Sequence, residues 1–249
     1  MENIKTDEII AAVRACGAII LNAERTSGMT EEKSGKANFV TVYDKLVQQT
    51  IKAKLFEIMP EAVFVGEEED VHAAIDSGYA FIVDPIDGTT NFIKDYRHSA
   101  VSCALLKDGS PVFGAIYNPY LDEMFTAVRG EGAFLNGSPI HVSDEPLSNG
   151  IVLVGTSPYY EELSEKTFRM AFDYFRKALD IRRSGSAALD LCAVASGRAE
   201  VFCELILSPW DYAAGSLIVG EAGGRVTTVE GEKLRFDAPC SLLASNGCV

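Results

Sequence analysis

Several residue types that carry common chemistries are scarce in this 249-residue sequence. There are three histidines, His72, His98 and His141, with no His-x-x-x-His or His-x-Glu spacing. A zinc centre would therefore lack its usual ligands. The six cysteines, at 16, 103, 192, 203, 240 and 248, include no Cys-x-x-Cys pair. The chain is also long for a disulfide scaffold, so they read as reduced thiols of a cytoplasmic protein. No Gly-x-Ser-x-Gly elbow is present, which leaves a Ser-His-Asp triad without its commonest signature. No apolar run approaches the roughly 20 residues of a membrane span. The opening MENIKTDEII is too acidic, and too short of apolar residues, for a signal peptide. Positive charge is short relative to negative: 22 Lys plus Arg stand against 36 Asp plus Glu, a formal net charge of −14. Nucleic-acid binding needs a basic face, so this balance argues against it and suits a protein that holds cations. What remains is ordinary for a globular chain, 47% hydrophobic and 23% charged, which argues against disorder. If there is catalysis here, carboxylates are its carriers.

The apolar pattern predicts an organisation without long linkers or repeats. Ile9, Ile10, Val13, Gly17, Ile20 and Leu21 share one helical face. Leu46, Val47, Ile51, Leu55 and Ile58 mark a second helix, stopped by Pro60. Short apolar runs at 62–65 and 79–83 read as strands, followed by a β-rich stretch from 99 to 142. Its turns are Asp108-Gly109, Asn118-Pro119 and Asn136-Gly137. The second half alternates. A strand at 151–154 precedes a helix started by Ser157-Pro158 and carrying Leu163, Phe168, Ala171, Phe175 and Ala178. A helix at 186–196 ends at Gly197, a strand occupies 201–205, and Ser208-Pro209 starts a helix that runs to Gly223-Gly224. This alternation predicts an α/β protein of mixed α+β character, a mixed sheet layered by helices. We expect one catalytic domain over 1–249, with sub-lobes of about 1–147 and 148–249.

The densest chemical signal is Asp84-Pro85-Ile86-Asp87-Gly88-Thr89-Thr90-Asn91, at the end of the run 80–83. Asp84 precedes a proline and stays extended. Asp87-Gly88 turns the chain, and Thr89-Thr90 can open a helical turn whose free N–H groups face an anion. Two carboxylates around such a turn can point at one hard cation. A lone Asp-Gly is usually a turn or a cap. A tight hairpin is a poor fit here because the next strand-like run starts near residue 99. A second acidic cluster, Gly66-Glu67-Glu68-Glu69-Asp70, follows the run 63–65. It reads either as a solvated charge run or as Glu67 joining Asp84 and Asp87. Third, Ser208-Pro209-Trp210-Asp211 is a complete helix start, with Ser at N-cap, Pro at N1 and Asp at N3. That capping role leaves Asp211 free to face a cation as well. Fourth, Arg182-Arg183-Ser184-Gly185-Ser186-Ala187-Ala188-Leu189-Asp190 offers Ser186 as an N-cap and small residues that allow close approach.

Together these four elements, with Glu221-Ala222-Gly223-Gly224 downstream, resemble the inositol monophosphatase family in order and spacing. The resemblance spans about Ala11 to Ala244, and DPIDGTTNF (84–92) with a downstream Trp-Asp is its most specific pair. It implies the layered αβαβα fold of the inositol monophosphatase and sugar phosphatase type. By residue match it implies Mg²⁺ ligation by Glu67, Asp84, Asp87, Asp211 and the Ile86 carbonyl, with two or three ions per site. Gly88 and Thr89 would offer N–H groups to the phosphate, and the Thr89 hydroxyl with Glu67 would orient the attacking water. Asp87 also counts among the catalytic positions. Glu204, seven residues before Asp211, stands where the family contacts a sugar or inositol hydroxyl, and Gly185, Ser186 and Ala187 line the same pocket. An all-oxygen ligand set suits Mg²⁺ over Zn²⁺.

The implied activity is Mg²⁺-dependent hydrolysis of a small phosphorylated polyol or sugar, foremost myo-inositol monophosphate, by a homodimer. Two departures stand out. The family commonly has Asp where this chain has Asn38, with Asp44 kept, and Ile206 is bulkier than the small residue common at its position. The first bears on a weaker metal site and on lithium sensitivity, the second on specificity. Runner-up substrates are fructose 1,6-bisphosphate, for which Arg182 or Arg183 would supply a second cationic pocket, histidinol phosphate and a 3′-phosphorylated nucleotide. A regulatory protein on the same fold is the alternative of a different class.

Overall fold

Packing of alternating side chains onto two opposite faces organises the molecule. The computed structural model describes residues 4–24, 30–32, 39–69 and 74–248. Asn38, Asp70 and His72 lie outside the described residues. In chain order the elements are helix α1 (Thr6–Leu21), strands β1 (Thr30–Glu32) and β2 (Phe39–Thr41), helix α2 (Val42–Ile58), strands β3 (Val63–Gly66) and β4 (Tyr79–Asp87), and the short helix α3 (Thr89–Ile93). Strands β5 (Ala100–Lys107), β6 (Ser110–Asn118), β7 (Glu123–Val128), β8 (Gly132–Leu135), β9 (Ser138–Ile140) and β10 (Ile151–Val154) follow. The rest is α4 (Ser164–Phe175), β11 (Asp180–Arg182), α5 (Ala187–Ala195), β12 (Val201–Leu207), α6 (Pro209–Glu221), β13 (Arg225–Thr227) and β14 (Cys240–Ser245).

Strands β3 to β9 form a seven-stranded sheet in sequential order, antiparallel except for the β3–β4 pair. The second sheet has the order β11-β10-β12-β14-β13 and mixes parallel and antiparallel pairs. Both faces of the large sheet are covered. Phe81, Val83, Val101, Cys103, Leu105 and Phe113 pack under α1 and α2, against Val13, Ile20, Val47 and Ile51. Their strand neighbours Ala80, Ile82, Ala104, Leu106 and Ile116 point the other way, into a core shared with α5, α6 and the second sheet. The outer face of that sheet, Val152, Val154, Val201 and Cys203, packs on Met170, Ala171 and Tyr174 of α4. The layers therefore run helices, sheet, helices, sheet, helix, the expected αβαβα order. Burial on both faces explains why β4 and β5 read as continuous apolar runs rather than alternating ones.

Most expected local signals hold. Asp108-Gly109 and Asn136-Gly137 both adopt left-handed pairs (φ 48° and 73°, φ 48° and 78°), as tight hairpins require. Ser186 caps α5, whose end is followed by Gly197 at φ 68°, and Pro209 opens α6. Three expectations need correction. Leu21, grouped on one face with Ile9, Val13 and Ile20, is half exposed while those three are buried, and Leu46 of the second helical pattern is half exposed as well. Ser157-Pro158 does not start a helix: α4 begins at Ser164, and Ser157 sits at φ 40° with its polar atoms bound to Glu204. Helix α4 also has two apolar faces. Ala171 and Tyr174 turn inward, whereas Phe168, Phe172 and Phe175 point outward, Phe168 with 67% of its surface exposed. The cysteines are free thiols, four of them buried.

The inter-layer fit is tight where β6 crosses α6. A Cβ on Gly114 would stand 2.9 Å from the Ala214 carbonyl oxygen and 3.2 Å from its Cα. Backbone cannot yield as a side chain does. Gly114→Ala is therefore expected to cost about 1–3 kcal/mol, read as a lower urea midpoint at unchanged slope; an unchanged midpoint would show that the layers slide freely.

Candidate active site

Asp84 and Asp87 are three residues apart, so in a regular strand they would point to opposite faces of the sheet. The register shows why they do not. Asp84 lies opposite Ser102 and Asp87 opposite Ala100, so three steps along β4 match two along β5. The extra residue is a bulge, and it turns both carboxylates to one side. The same device recurs in β12, where Glu204 lies opposite Leu242 and Leu207 opposite Cys240. That bulge delivers the chain to Ser208 and the start of α6, whose third residue is Asp211. Carboxylate oxygens of Asp84, Asp87 and Asp211 all lie within 4.8 Å of one another.

Each member is held by backbone. Asp84 Oδ1 accepts from the Ile86 N–H at 2.9 Å. Asp211 Oδ2 accepts from the Ser208 N–H at 2.7 Å, so the expected capping box forms and leaves its other oxygen to the cluster. Asp87 Oδ2 accepts from the Ala188 N–H at 2.9 Å and from the Ser186 hydroxyl, both at the start of α5. A carboxylate at a helix N-terminus is also favoured by the helix dipole. Gly88 follows at φ 87°, where a Cβ would meet the carbonyl oxygens of His98 and Gly185 at 3.0 and 3.1 Å. Only glycine fits between those two carbonyls. Thr89 opens α3 and donates its hydroxyl to the Ile86 carbonyl at 3.2 Å.

The cluster floors a cavity of about 310 Å³ whose lining includes Glu67, Asp84, Ile86, Asp87, Gly88, Thr89, Gly185, Ser186, Ala187, Glu204 and Asp211. Every expected site residue thus reaches one cavity, but not in equal roles. Glu67 lines it without joining the cluster of three. Its neighbour Glu69 instead pairs with Lys52 at 2.8 Å, so the acidic run splits between site and surface. Ser186 is buried with its hydroxyl given to Asp87, and Glu204 Oε1 is occupied by Ser157. The cavity also holds Thr90 of the expected helical turn, Ser157 that was expected to start a helix, and three residues given no site role by the sequence: Tyr159, Tyr160 and Asp190. Of the two arginines, Arg183 lines the cavity while Arg182 pairs with Asp180 outside it. For Asp190 a signal existed, since it lies four residues after Ser186 on one helix face. For the tyrosines there was none.

The electrostatics are those of crowded, desolvated acids. Burial first, then the charges of Glu67, Asp87 and Asp211, pushes Asp84 well above the usual carboxylate range. Burial and the charges of Asp87 and Glu67 do the same to Asp211. Burial also raises Asp87, against the lowering effect of Ser186 and the Ala188 N–H. Around them, burial lifts Glu204 to about 7 and Asp190 to about 8. Among the described residues no Lys or Arg forms an ion pair with the three clustered aspartates. Three clustered carboxylates that repel one another, with only oxygen donors around them, fit a small hard cation.

The comparisons with known proteins follow this geometry. Residues 4–248 match the sequence profile described as "Inositol monophosphatase family". The chain belongs to that family. It is 40% identical over 240 residues to "Inositol monophosphatase 2" of Solanum lycopersicum, covering 93% of this chain and 90% of the relative. It is 37% identical over 232 residues to "Nus factor SuhB" of Salmonella typhimurium, covering 93% and 87%. The crystal structure of extragenic suppressor protein suhB from Bartonella henselae superposes with a TM-score of 0.91 at 36% identity, covering 97% of this chain and 93% of that one. Inositol monophosphatase family membership brings with it metal-dependent phosphatase chemistry on phosphorylated small substrates. No helix among the described residues is long and apolar enough to cross a membrane.

The raised carboxylates set a sign for stability against pH. A group whose folded pKa is raised contributes fully below its unfolded value of about 4. That contribution is lost as pH rises through the folded values, about 7 for Glu204 and about 8 for Asp190. The metal-free protein is therefore expected to melt at lower temperature at pH 8 than at pH 5.5. Adding Mg²⁺ at pH 8 should recover several degrees, because a ligand of the folded state alone stabilises it. Asp84→Asn should raise the metal-free Tm at pH 8 and abolish the gain from Mg²⁺. A Tm that climbs steadily from pH 5.5 to 8 without metal would contradict this reading.

Proposed function

We propose that the protein is an inositol-phosphate phosphatase, a phosphoric monoester hydrolase that converts myo-inositol monophosphate to inositol and phosphate. The observation that supports it most strongly is the buried trio Asp84, Asp87 and Asp211 beside the Gly88–Thr89 helix start. Glu67, Asp84, Asp87, Asp211 and the Ile86 carbonyl would hold two or three Mg²⁺. When bound, Mg²⁺ neutralises charge on the phosphoryl and leaving oxygens and makes water more acidic.

The chain's own residues supply the positioning on which phosphoryl transfer depends. The N–H groups of Gly88 and Thr89 receive phosphate oxygens at the first turn of α3. Thr89 already donates its proton to Ile86, so its oxygen is left to accept. Glu67 is the second acceptor. A water that donates one hydrogen bond to each presents a lone pair to phosphorus, in line with the departing ester oxygen. As the new P–O bond forms and the ester P–O bond breaks, Glu67 takes one proton from the water and a solvent proton ends on the leaving oxygen. Ser186 and α5 fix Asp87, and the Ser208 cap fixes Asp211, so the floor does not shift during turnover. The relative named inositol monophosphatase 2 supports inositol monophosphate as the substrate. Free thiols agree with a cytoplasmic location, and the outward Phe168, Phe172 and Phe175 offer an apolar face for a homodimer. A regulatory role on this fold is a second reading, favoured by the relative named Nus factor SuhB.

Phosphate release from inositol 1-phosphate with and without Mg²⁺ decides between them. Turnover should require the metal and stop on chelation. Asp87→Asn should lower kcat at least 10³-fold while the protein stays folded, as removal of charge-stabilising groups commonly does. Thr89→Ala should lower kcat about 10²-fold with KM within a few-fold. No release from any of a panel of small monoesters would favour the regulatory reading.

A further inference from the structure

Against the C-terminal half of α6 the surface opens into a second recess, of about 400 Å³. It shares no lining residue with the cavity floored by the carboxylates. Its apolar walls include Leu217 on α6, Val226 on β13, and Leu234 and Phe236 on the connection from β13 to β14. Two cations, Arg129 and Lys233, join the lining. Among the described residues no Asp or Glu does, in a chain where acids outnumber bases 36 to 22. Two acids that flank lining residues in sequence are engaged elsewhere. Glu221 accepts from the Gly130 and Gly132 N–H groups at 2.9 and 3.0 Å, and Asp237 pairs with Arg235 at 2.7 Å. Neither Arg129 nor Lys233 forms an ion pair with a described residue. The walls are fixed from within the fold. Tyr212 is fully buried, its hydroxyl donates to the Arg235 carbonyl between Leu234 and Phe236, and its ring lies 5.7 Å from that of Phe236. The Arg129 N–H donates to the Val112 carbonyl at 3.0 Å, and its guanidinium donates to the Pro111 carbonyl. A guanidinium carries five N–H donors, so one such bond does not exhaust it. Gly220 is a second, independent observation. It is a helical residue that lines the recess, and glycine weakens a helix relative to alanine. The fold gives no steric reason for it: an added Cβ would meet nothing within 4 Å, and its backbone is not left-handed. Gly215 on the same helix contrasts, since a Cβ there would stand 2.5 Å from Leu191 Cδ1. The bare position at 220 leaves the recess open along one turn of α6.

We propose that this recess is a binding site for a small organic monoanion with an apolar body, such as an aryl or acyl carboxylate. The body lies on Leu217, Leu234 and Phe236, over the bare Gly220, and the anionic head faces Arg129 and Lys233. Small-molecule sites have volumes of about 300–1,000 Å³ and mostly apolar walls with a few placed charges. Burial of the apolar body supplies affinity, and the two cations select the sign of the head. The site stands apart from the phosphatase reading and is tested by binding alone.

Fluorescence titration of the full chain with Mg²⁺ present tests it, using 8-anilinonaphthalene-1-sulfonate and its uncharged parent N-phenyl-1-naphthylamine. The sulfonate should bind saturably at one site. Gly220→Leu, which puts a branched side chain into the recess, should weaken both dyes at least tenfold. Lys233→Glu should lower the ratio of association constants, sulfonate over parent, about fivefold at low salt, because it reverses one charge beside the head. Phe172→Ser, on the outward apolar face of α4, should change neither dye. Gly220→Leu should also keep the wild-type sedimentation coefficient, since the recess is not a contact between copies. Four results would each overturn the proposal: no saturable sulfonate binding, affinity unchanged by Gly220→Leu, a ratio unchanged by Lys233→Glu, or loss of binding in Phe172→Ser. A changed oligomeric state in Gly220→Leu would overturn it as well, by making the recess an interface between copies. None of these outcomes bears on Mg²⁺-dependent turnover, which tests the phosphatase reading separately.

Discussion

Mutual repulsion among three buried carboxylates is the constraint on which the rest of the structure depends. Two unit charges about 4.8 Å apart repel by roughly 3–4 kcal/mol at an effective dielectric of 20, and Asp84, Asp87 and Asp211 form three such pairs. No fold assembles them by default. The chain brings two from one strand end and one from a helix start about 120 residues later in sequence, and fixes each with backbone N–H groups. Those bonds favour the ionised form but do not cancel burial and repulsion, which leave Asp84 and Asp211 well above the ordinary carboxylate range. The site is therefore prepared at a cost to the metal-free fold, and a small divalent cation relieves it.

The layered architecture makes that preparation possible. The seven-stranded sheet is buried on both faces, so the ends of its strands are held rigidly between α1/α2 and α5/α6. Two bulges, one in β4 after Asp84 and one in β12 after Glu204, break the two-residue period at the places where side chains must be re-aimed. The helices that follow, α3 and α6, then start at the cavity with their N-termini toward it. Phosphate recognition and carboxylate anchoring use the same feature of helix starts, free N–H groups, for an anion in one case and a side chain in the other.

Much of this was legible in the sequence, and what was not has physical reasons. Asp-Pro, Asp-Gly and Ser-Pro are local rules of backbone geometry, so β4, α3 and the start of α6 could be placed from them. Glu67, Asp84, Asp87 and Asp211 came from a motif dense enough to carry a family resemblance. The bulges were invisible, because an inserted residue is defined only against a partner strand. Ser157-Pro158 has the composition of a helix start, but a tertiary contact with Glu204 took the serine's polar atoms, and the helix began seven residues later. The orientation of the aromatic positions of α4 was not legible for a related reason. Periodicity shows that residues share a face, not whether that face meets the core, and Phe168 and Phe175 turned outward.

The account's central claim is that Asp84 and Asp211, raised well above the ordinary carboxylate range, retain protons until a cation replaces them. Titration calorimetry of Mg²⁺ into the metal-free protein, run at neutral pH in two buffers of different ionisation enthalpy, measures this directly. The account expects binding accompanied by net proton release, with the release diminishing above pH 8 as the acids ionise on their own. Absence of Mg²⁺ binding, or binding whose heat is the same in both buffers, would contradict it.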